Sequence, residues 1–393
     1  MATESIGRRV AAARKLAGLT QQQLADRAHI SASLVSQVER GTKPASPSFV
    51  ASIARALQVA PAYLYDSRPD EVVEQPSAES AVVAELRAAL DAYDDPRPEG
   101  GPLTLAVIVD RLNGVARALH ADRYLETAAS LPPLLHHLFP LTEQAGHDGE
   151  QARAVLHDAY RMAASIAGQL RQADLAAIAS ERHIRLAPTT GDPLRIALSA
   201  YHRSTTHLKH ADYRAGLRML DRAREHLDDS PAGRAMAVQL DLRSAMLAAR
   251  AGDMGEGDEW IGEARAIVDE FAPPERPYFN VDASKLNAVV HWCALPVETY
   301  NGSESVRRAS TVTVADRTRP ERVAHHHIDL ARAWMLHGDR EQALVNLNEA
   351  RRVSPRRTRQ HPQVGETVVT LAAQQRRRSD TLAGFARWAG IQL

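Results

Sequence analysis

The chain has 393 residues, and its 48 Lys and Arg balance 48 Asp and Glu to a formal net charge of zero. This balance excludes a chain that is basic throughout, although a local charge asymmetry is still open. Cys293 is the single cysteine, which excludes an internal disulfide and favours a reducing compartment. We expect a cytoplasmic protein without a membrane span, because no apolar run approaches about 18 residues and no signal-peptide pattern opens the chain.

A stretch near the N-terminus predicts two short helices separated by a tight turn. Thr20 can cap the first helix, over Gln21–Ala28, and Ser31 can cap the second, over Ala32–Arg40. Gly41 then ends the second helix, since glycine adopts the left-handed backbone of a helix stop. This layout is typical of a helix-turn-helix that places its second helix in the major groove of DNA.

The second of these helices has one apolar and one polar face. Leu34, Val35 and Val38 recur at helical spacing and form the face expected in the core. The opposite face carries Ala32, Ser33, Ser36, Gln37 and Arg40. These side chains are able to touch a base edge or a phosphate, so the pattern favours a major-groove reader.

Flanking segments complete a small basic domain. Ile6–Ala17 reads as an amphipathic first helix, Ser46 caps a fourth helix, and Pro61 opens a short fifth. Residues 1–68 hold nine Lys or Arg against four Asp or Glu, whereas residues 69–99 hold two against nine. A basic segment followed by an acidic one indicates that the first segment alone meets phosphate.

From Ile6 to Tyr65 the chain resembles the xenobiotic-response-element family of helix-turn-helix regulators, which includes the phage repressors. The family motif is matched by Gln21, Ala25, His29, Val35 and Val38. His29 stands where the family usually has Gly, at a turn that needs a left-handed backbone, which His visits more often than most residues. The resemblance implies a five-helix, repressor-like DNA-binding domain. An ordinary small helical bundle is the alternative.

The resemblance also implies individual roles at the DNA. Gln21, at a helix N-terminus, is expected to bind a phosphate with its side chain and backbone amide. Gln37 is suited to pair with adenine, Ala32 to touch a thymine methyl, and Ser33 to donate or accept at a base. The complete DNA-binding set is Gln21, Ala32, Ser33, Ser36, Gln37, Arg40, Thr42 and Lys43. Arg14 and Glu39 match a pair that ties the first helix to the third in similar repressors.

The rest of the chain divides into a linker and a helical body. Residues 67–101 are acidic and interrupted by Pro, and we expect a linker there with one short helix over Ala81–Tyr93. The predicted domains are therefore a DNA-binding domain over 1–66, the linker over 67–101, and a repeat domain over 102–393 for ligand sensing and dimerisation.

A small residue followed by Asp marks successive tight turns in the body. The landmarks are Ala121-Asp122, Ala173-Asp174, Ala211-Asp212, Gly252-Asp253 and Gly338-Asp339, with Asn301-Gly302-Ser303 in the longest gap. Regular units of this size predict stacked helix pairs, that is, an α-solenoid. The units resemble tetratricopeptide repeats, best around Asp339 and the closing Pro355. An irregular solenoid or another helical bundle is the alternative. The whole layout resembles Gram-positive and actinobacterial regulators that join such a head to a signal-sensing repeat body.

Candidate ligand-binding residues come from the predicted inner helices. Tyr201, Asn287 and His291 are the effector candidates, because Asn287 offers both ends of its amide and Tyr201 a flat ring with a hydroxyl. Alternatively, Asn287 and His291 simply bond each other at i, i+4. The histidines near residues 207 and 326 do not predict a metal site, and no motif for a cofactor or for catalysis is present.

Together these features predict an all-α, non-enzymatic transcription regulator. Its partners would be double-stranded operator DNA, a peptide or small-molecule effector, and a second copy of the chain. A homodimer and an inverted-repeat operator are expected because one small head makes few base contacts. The alternative function is an interaction protein whose body binds a protein partner while the head serves as an anchor on DNA. An enzyme hidden in the body is a third class.

Overall fold

The computed structural model describes residues 6–57, 59, 61–65, 78–92, 95–120, 123–170, 172–270, 281–314, 319–374 and 380–393. All regular secondary structure in these residues is helical, which confirms the all-α class. The chain forms two compact units, here called the first unit (Met1–Arg68 with Ser204–Leu393) and the second unit (Pro69–Arg203). None of the helices found in the described residues has the length and apolar character that crossing a bilayer requires.

The head, within the first unit, contains the helices predicted from the sequence. They are α1 (Ile6–Leu16), α2 (Gln21–Ala28), α3 (Ala32–Glu39), α4 (Pro47–Leu57) and α5 (Pro61–Leu64). Leu24, Val35, Ile53 and Leu64 are fully buried between these helices. Burial of apolar faces from every helix stabilises the head as one small core.

Local caps fix the helix-turn-helix as the sequence predicts. The Thr20 hydroxyl accepts from the Gln23 amide at 3.1 Å, and the Gln23 side chain accepts from the Thr20 amide at 2.9 Å. This capping box satisfies two backbone donors at the start of α2. His29 has the left-handed backbone expected of it, with φ 55°. The Ser31 hydroxyl accepts from the Leu34 amide at 3.2 Å and begins α3.

The second unit is built from long helices around its own core. They are α6 (Ala78–Asp91), α7 (Leu105–His120), α8 (Tyr124–Thr142), α9 (His147–Gln169), α10 (Ala173–Leu186) and the first part of α11 (Pro193–Lys209). Leu86 and Leu90 of α6 are fully buried in this core with Leu131 and Ile166. The short helix expected within the acidic linker is therefore present, and it packs as part of a helical core.

The C-terminal part of the first unit is a succession of packed helices. They are α12 (Tyr213–Arg224), α13 (Pro231–Arg250), α14 (Met254–Glu270), α15 (Lys285–Ala294), α16 (Gly302–Ser310), α17 (Pro320–His337), α18 (Arg340–Val353), α19 (Pro355–Gln360), α20 (Pro362–Ala373) and α21 (Asp380–Ala389). From α12 to α18 each helix contacts the one that follows it. This is the sequential stacking expected of helix pairs.

The turn landmarks of the sequence begin helices in the structure. Asp212 and Asp339 are the residues before α12 and α18, and Asn301, in the longest gap, caps α16 through its side chain. Gly252 and Gly338 have φ of 91° and 104°, which explains the small residue in front of each Asp. The landmark at Asp122 lies outside the described residues.

Six histidines, His136 among them, lie in surroundings that disfavour their charged form, and in five of them the effect is large. Burial lowers the pKa of each of these five far below its ordinary value: to about 2 at His183, about 4 at His291 and His326, and about 3 at His325 and His361. In the unfolded chain they would titrate near 6.5, so the unfolded state binds more protons between these values. Asp241 and Glu366 act in the opposite sense, because burial raises the pKa of each to about 7.

The fold should therefore lose stability on mild acidification. A histidine with a lowered folded pKa contributes stability that is complete above about pH 6.5 and is lost as the pH falls. Since five histidines outweigh two carboxylates, we expect the free energy of unfolding to fall by roughly 3 kcal/mol between about pH 7.5 and pH 5.5. Urea unfolding at several pH values measures this. His183→Gln should weaken the pH dependence, whereas His147→Gln, at an exposed site, should not. A stability that is flat or rises on acidification would contradict this assignment.

Candidate nucleic-acid interface

The outer face of α3 carries the side chains predicted to read DNA. Ser33 and Arg40 are exposed, and Ala32, Ser36 and Gln37 are half-buried. On the inner face Val35 and Val38 are at most 1% exposed, while Leu34, predicted to be buried with them, is only half-buried. The structure thus brings the five predicted α3 residues to one accessible surface.

Two hydrogen bonds hold side chains of this surface in place. The Gln37 amide donates to the Ser33 hydroxyl at 3.1 Å, one helical turn away. Arg40 Nε donates to the Ser36 carbonyl at 3.2 Å. Both bonds are exposed, and a base edge or phosphate oxygen can replace them at small net cost. The first bond places the Gln37 amide beside Ser33, on the face predicted to meet DNA.

A buried ion pair fixes α3 to α1. Arg14 donates to both carboxylate oxygens of Glu39, at 2.6 and 2.9 Å, and to the Leu19 carbonyl at 2.8 Å. Burial would raise the pKa of Glu39, but its hydrogen bonds to Arg14 and Gln21 lower it below the ordinary value. The prediction that Arg14 and Glu39 tie the two helices together is confirmed.

Gln21 takes part in the same cluster. Its side-chain amide donates to the Glu39 carboxylate at 2.7 Å, so the side chain is directed to α3. Its backbone amide lies in the first turn of α2, where the N-terminus of a helix favours an anion. The expected phosphate contact of the Gln21 side chain stays a prediction, and it requires this amide to leave or share Glu39.

The loop after α3 is held by residues far away in the chain. Gly41 has φ 71°, and both the amide and the hydroxyl of Thr42 donate to the Gln37 carbonyl, at 2.9 and 3.0 Å. The Thr42 carbonyl accepts from Gln374 Nε2 at 2.8 Å. Lys43 Nζ lies 4.7 Å from the ring centroid of Tyr300. Burial lowers the pKa of Lys43 from its ordinary value. Two predicted phosphate contacts, Thr42 and Lys43, therefore touch the helical body.

Ser46 joins the head to the same tyrosine. Its hydroxyl accepts from the Phe49 amide at 3.1 Å, which confirms it as the cap of α4, and from the Tyr300 hydroxyl at 2.9 Å. On α4, Arg55 Nη1 also donates to the Ala211 carbonyl at 3.3 Å. Nothing in the sequence pattern marks Tyr300 as a partner of a segment 254 residues earlier.

The effector candidates are distributed over both units. Tyr201 lies on α11 in the second unit, whereas Asn287 and His291 lie on α15 in the first. Asn287 is fully buried, and its Nδ2 donates to the Asp282 carbonyl at 2.7 Å. His291 Nδ1 lies 2.9 Å from the Asn287 backbone carbonyl, so these two residues bond through the main chain. An alanine at position 287 would leave the Asp282 carbonyl without this donor, and we expect it to lower stability.

Sequence reasoning missed a buried charge network in the body, here called the Glu298 network. Glu298 accepts from Arg250 Nε at 2.7 Å and from Arg332 Nη1 at 3.4 Å, and Arg332 Nη1 also reaches Asp329 at 3.1 Å. Each of these side chains is at most 10% exposed. Burial would raise the pKa of Glu298, but the two arginines lower it. Arg250, Asp329 and Arg332 lie in the stretches Gln239–Arg250 and His326–Trp334, which the repeat pattern predicts as inner helices. Charged residues in those stretches were the available signal.

Metal binding finds no counterpart in the described residues, where no group of three or more His, Cys, Asp or Glu side chains is placed to hold an ion. Two of the histidines singled out in the sequence lie near a carboxylate instead. His207 lies 3.4 Å from Asp212, and His325 lies 3.4 Å from Asp329.

Comparison with known proteins bears directly on the head. Residues 5–64 match the family model described as a helix-turn-helix domain. These residues are a helix-turn-helix domain. The crystal structure of Bacillus thuringiensis PlcR in complex with the peptide PapR7 and DNA is 18% identical, covers 68% of this chain and 95% of the PlcR chain, and has a TM-score of 0.31. No curated protein sequence matches the chain significantly.

Proposed function

We propose that the protein is a sequence-specific, non-enzymatic transcription regulator whose affinity for DNA is set by a ligand bound to the helical body. The observation that carries the DNA-binding part is the outer face of α3, where Ser33, Gln37 and Arg40 lie together on a helix fixed by the Arg14–Glu39 pair. A rigid helix with short polar and amide side chains on its open face suits readout of base edges.

The proposed roles separate base reading from positioning. Gln37 offers a donor and an acceptor to adenine, Ser33 bonds a base edge, and Ala32 packs on a thymine methyl. The phosphates are met by the N-terminus of α2 at Gln21 and by the residues after α3, namely Arg40, Thr42 and Lys43. We propose that the protein acts on DNA as a homodimer, because two heads double the interactions available on an inverted repeat.

Control by a ligand is supported by polar atoms inside the body. Among the described residues, Asn287 Oδ1, His325 Nδ1 and His361 Nδ1 are buried side-chain atoms without a hydrogen-bond partner. Buried polar atoms are costly unless they are bonded, so such positions suit a polar effector, whether peptide or small molecule. Operator affinity measured with and without the low-molecular-weight fraction of a cell extract tests this. An unchanged affinity, together with capture of a protein partner by the body, would favour the interaction protein instead.

Gln37→Ala should weaken binding to the operator by roughly 1–3 kcal/mol and relax the preference at one base pair. The alanine removes the bidentate amide without disturbing the buried face of α3. Affinities for the operator and for its single-base variants measure the effect. Gln151→Ala, on the exposed side of α9, is the matched control and should bind like the wild type. Equal discrimination by Gln37→Ala and the wild-type protein would refute the assignment.

A further inference from the structure

The helical body forms hydrogen bonds with both ends of the segment Thr42–Ser46. At one end Gln374 donates to the Thr42 carbonyl at 2.8 Å. At the other end the Tyr300 hydroxyl donates to the Ser46 hydroxyl at 2.9 Å. Between them the Lys43 ammonium faces the Tyr300 ring at 4.7 Å. All these residues belong to the first unit, so the contacts lie within one compact unit of the chain.

Two residues of this segment are also proposed contacts of the DNA backbone. Thr42 and Lys43 follow the recognition helix and are the proposed phosphate contacts. A lysine whose ammonium lies on an aromatic ring and is partly desolvated has less of its charge available to a phosphate. The body and the DNA backbone therefore compete for the Lys43 ammonium, while the bond from Gln374 to the Thr42 carbonyl fixes the main chain beside it.

Tyr300 lies two residues after Glu298, and the charges of Glu298 and Arg332 act on its hydroxyl. It ends the short 3-10 helix Leu295–Thr299 with a left-handed backbone, φ 60°, which sets the direction of its ring. Glu298, two residues earlier, is bonded to Arg250 and Arg332. A rearrangement of this buried network can therefore move Tyr300, which lies two residues away and bonds Ser46 of the head.

We propose that Tyr300 and Gln374 form an intramolecular latch that withholds Thr42 and Lys43 from the DNA backbone, and that the Glu298 network sets whether the latch is closed. This inference rests on the proposed DNA-binding function and adds its regulation. Opening the latch raises affinity for operator and random DNA alike, because phosphate contacts carry no sequence information. The latch thus adjusts affinity, while Gln37 sets sequence preference.

The first test measures DNA binding by the full chain over a range of salt concentrations. Tyr300→Phe removes the two hydrogen bonds to the hydroxyl and the amide of Ser46, Tyr300→Leu also removes the ring, and Gln374→Ala removes the bond to Thr42. We expect each to tighten binding to operator and random duplexes several-fold. The slope of log affinity against log salt should also steepen, by about 0.9 for each additional phosphate that the protein neutralises. Gln151→Ala, at an exposed site in the second unit, is the matched control.

A double variant shows whether the tighter DNA binding depends on Lys43. In Tyr300→Leu combined with Lys43→Ala, the increase in affinity should be largely absent. An increase that persists without Lys43 would overturn the latch, as would variants that bind DNA with unchanged or lower affinity. Lower affinity would mean that the body presents the loop to DNA instead of withholding it.

The second test needs no DNA and separates failure of the latch from failure of the proposed function. The chain has only four lysines, Lys15, Lys43, Lys209 and Lys285, so labelling by an amine-reactive reagent can be followed at each one. In the wild type Lys43 should react more slowly than exposed Lys15. Tyr300→Leu should raise the labelling rate of Lys43 several-fold. Equal labelling rates for Lys43 and Lys15 in the wild type would overturn the latch, whether or not the variants bind DNA more tightly. Slow labelling of Lys43 with no DNA binding by any variant would instead refute the proposed function, and with it the regulatory role of the latch.

Discussion

Glu39→Ala is expected to destabilise the helix-turn-helix domain by about 3–5 kcal/mol and to abolish specific DNA binding. The substitution leaves the Arg14 guanidinium, whose side chain is 11% exposed, with the Leu19 carbonyl as its one remaining partner among the described residues. It also removes the acceptor of Gln21. A buried charge without its partner is far more costly than the loss of an exposed ion pair, so α3 should detach from α1.

Denaturant unfolding followed by circular dichroism, together with operator binding, measures this effect. Glu39→Gln should be milder, because an amide oxygen still accepts from Arg14. Glu259→Ala, at an exposed site on α14, is the matched control and should change stability by less than about 0.5 kcal/mol. If Glu39→Ala keeps wild-type stability and affinity, the ion pair does not position the recognition helix.

Glu298→Ala should have an effect of similar size in the body. The substitution would leave Arg250 and Arg332, both less than 10% exposed, without the carboxylate between them. We expect a loss of about 3–5 kcal/mol in the free energy of unfolding. Urea unfolding followed by circular dichroism at neutral pH is the measurement.

Two further variants make this expectation specific. Replacing Arg250 and Glu298 together by Met and Leu should recover much of the lost stability, because Arg332 still pairs with Asp329 and no buried charge is then left unpaired. Glu341→Ala, at an exposed position on α18, should be nearly neutral. A double variant less stable than Glu298→Ala would contradict the electrostatic explanation.

The head was predictable because its determinants are local in sequence. Thr20, Ser31 and Ser46 each cap a helix within three residues of themselves, and His29 fills a turn position that few side chains tolerate. Helical periodicity separates the buried face of α3 from its open face without tertiary information. The stacked helices of the body followed for the same reason, since the landmarks Asp212, Asp253, Asn301 and Asp339 each stand directly before a helix.

What the sequence did not predict depends on long-range contacts. Tyr300 meets Ser46 across 254 positions, and Arg250 meets Glu298 across 48. No periodicity connects residues that are so far apart. Gln21 shows the same limit on a smaller scale, because the family motif implies a phosphate contact while the structure bonds its side chain to Glu39. The packing of α6 into a core was hidden by its acidic, Pro-interrupted flanks.

Selection of binding sites from a random duplex library by the full chain, followed by footprinting, tests the central claim most directly. We expect enrichment of an inverted repeat whose half-site centres lie one helical turn, about 34 Å, or a multiple of it apart. The same selection with Gln37→Ala should lose preference at one symmetric pair of positions. Failure to enrich any sequence over random DNA, or full affinity for a single isolated half-site, would contradict the account of a dimeric, sequence-reading regulator.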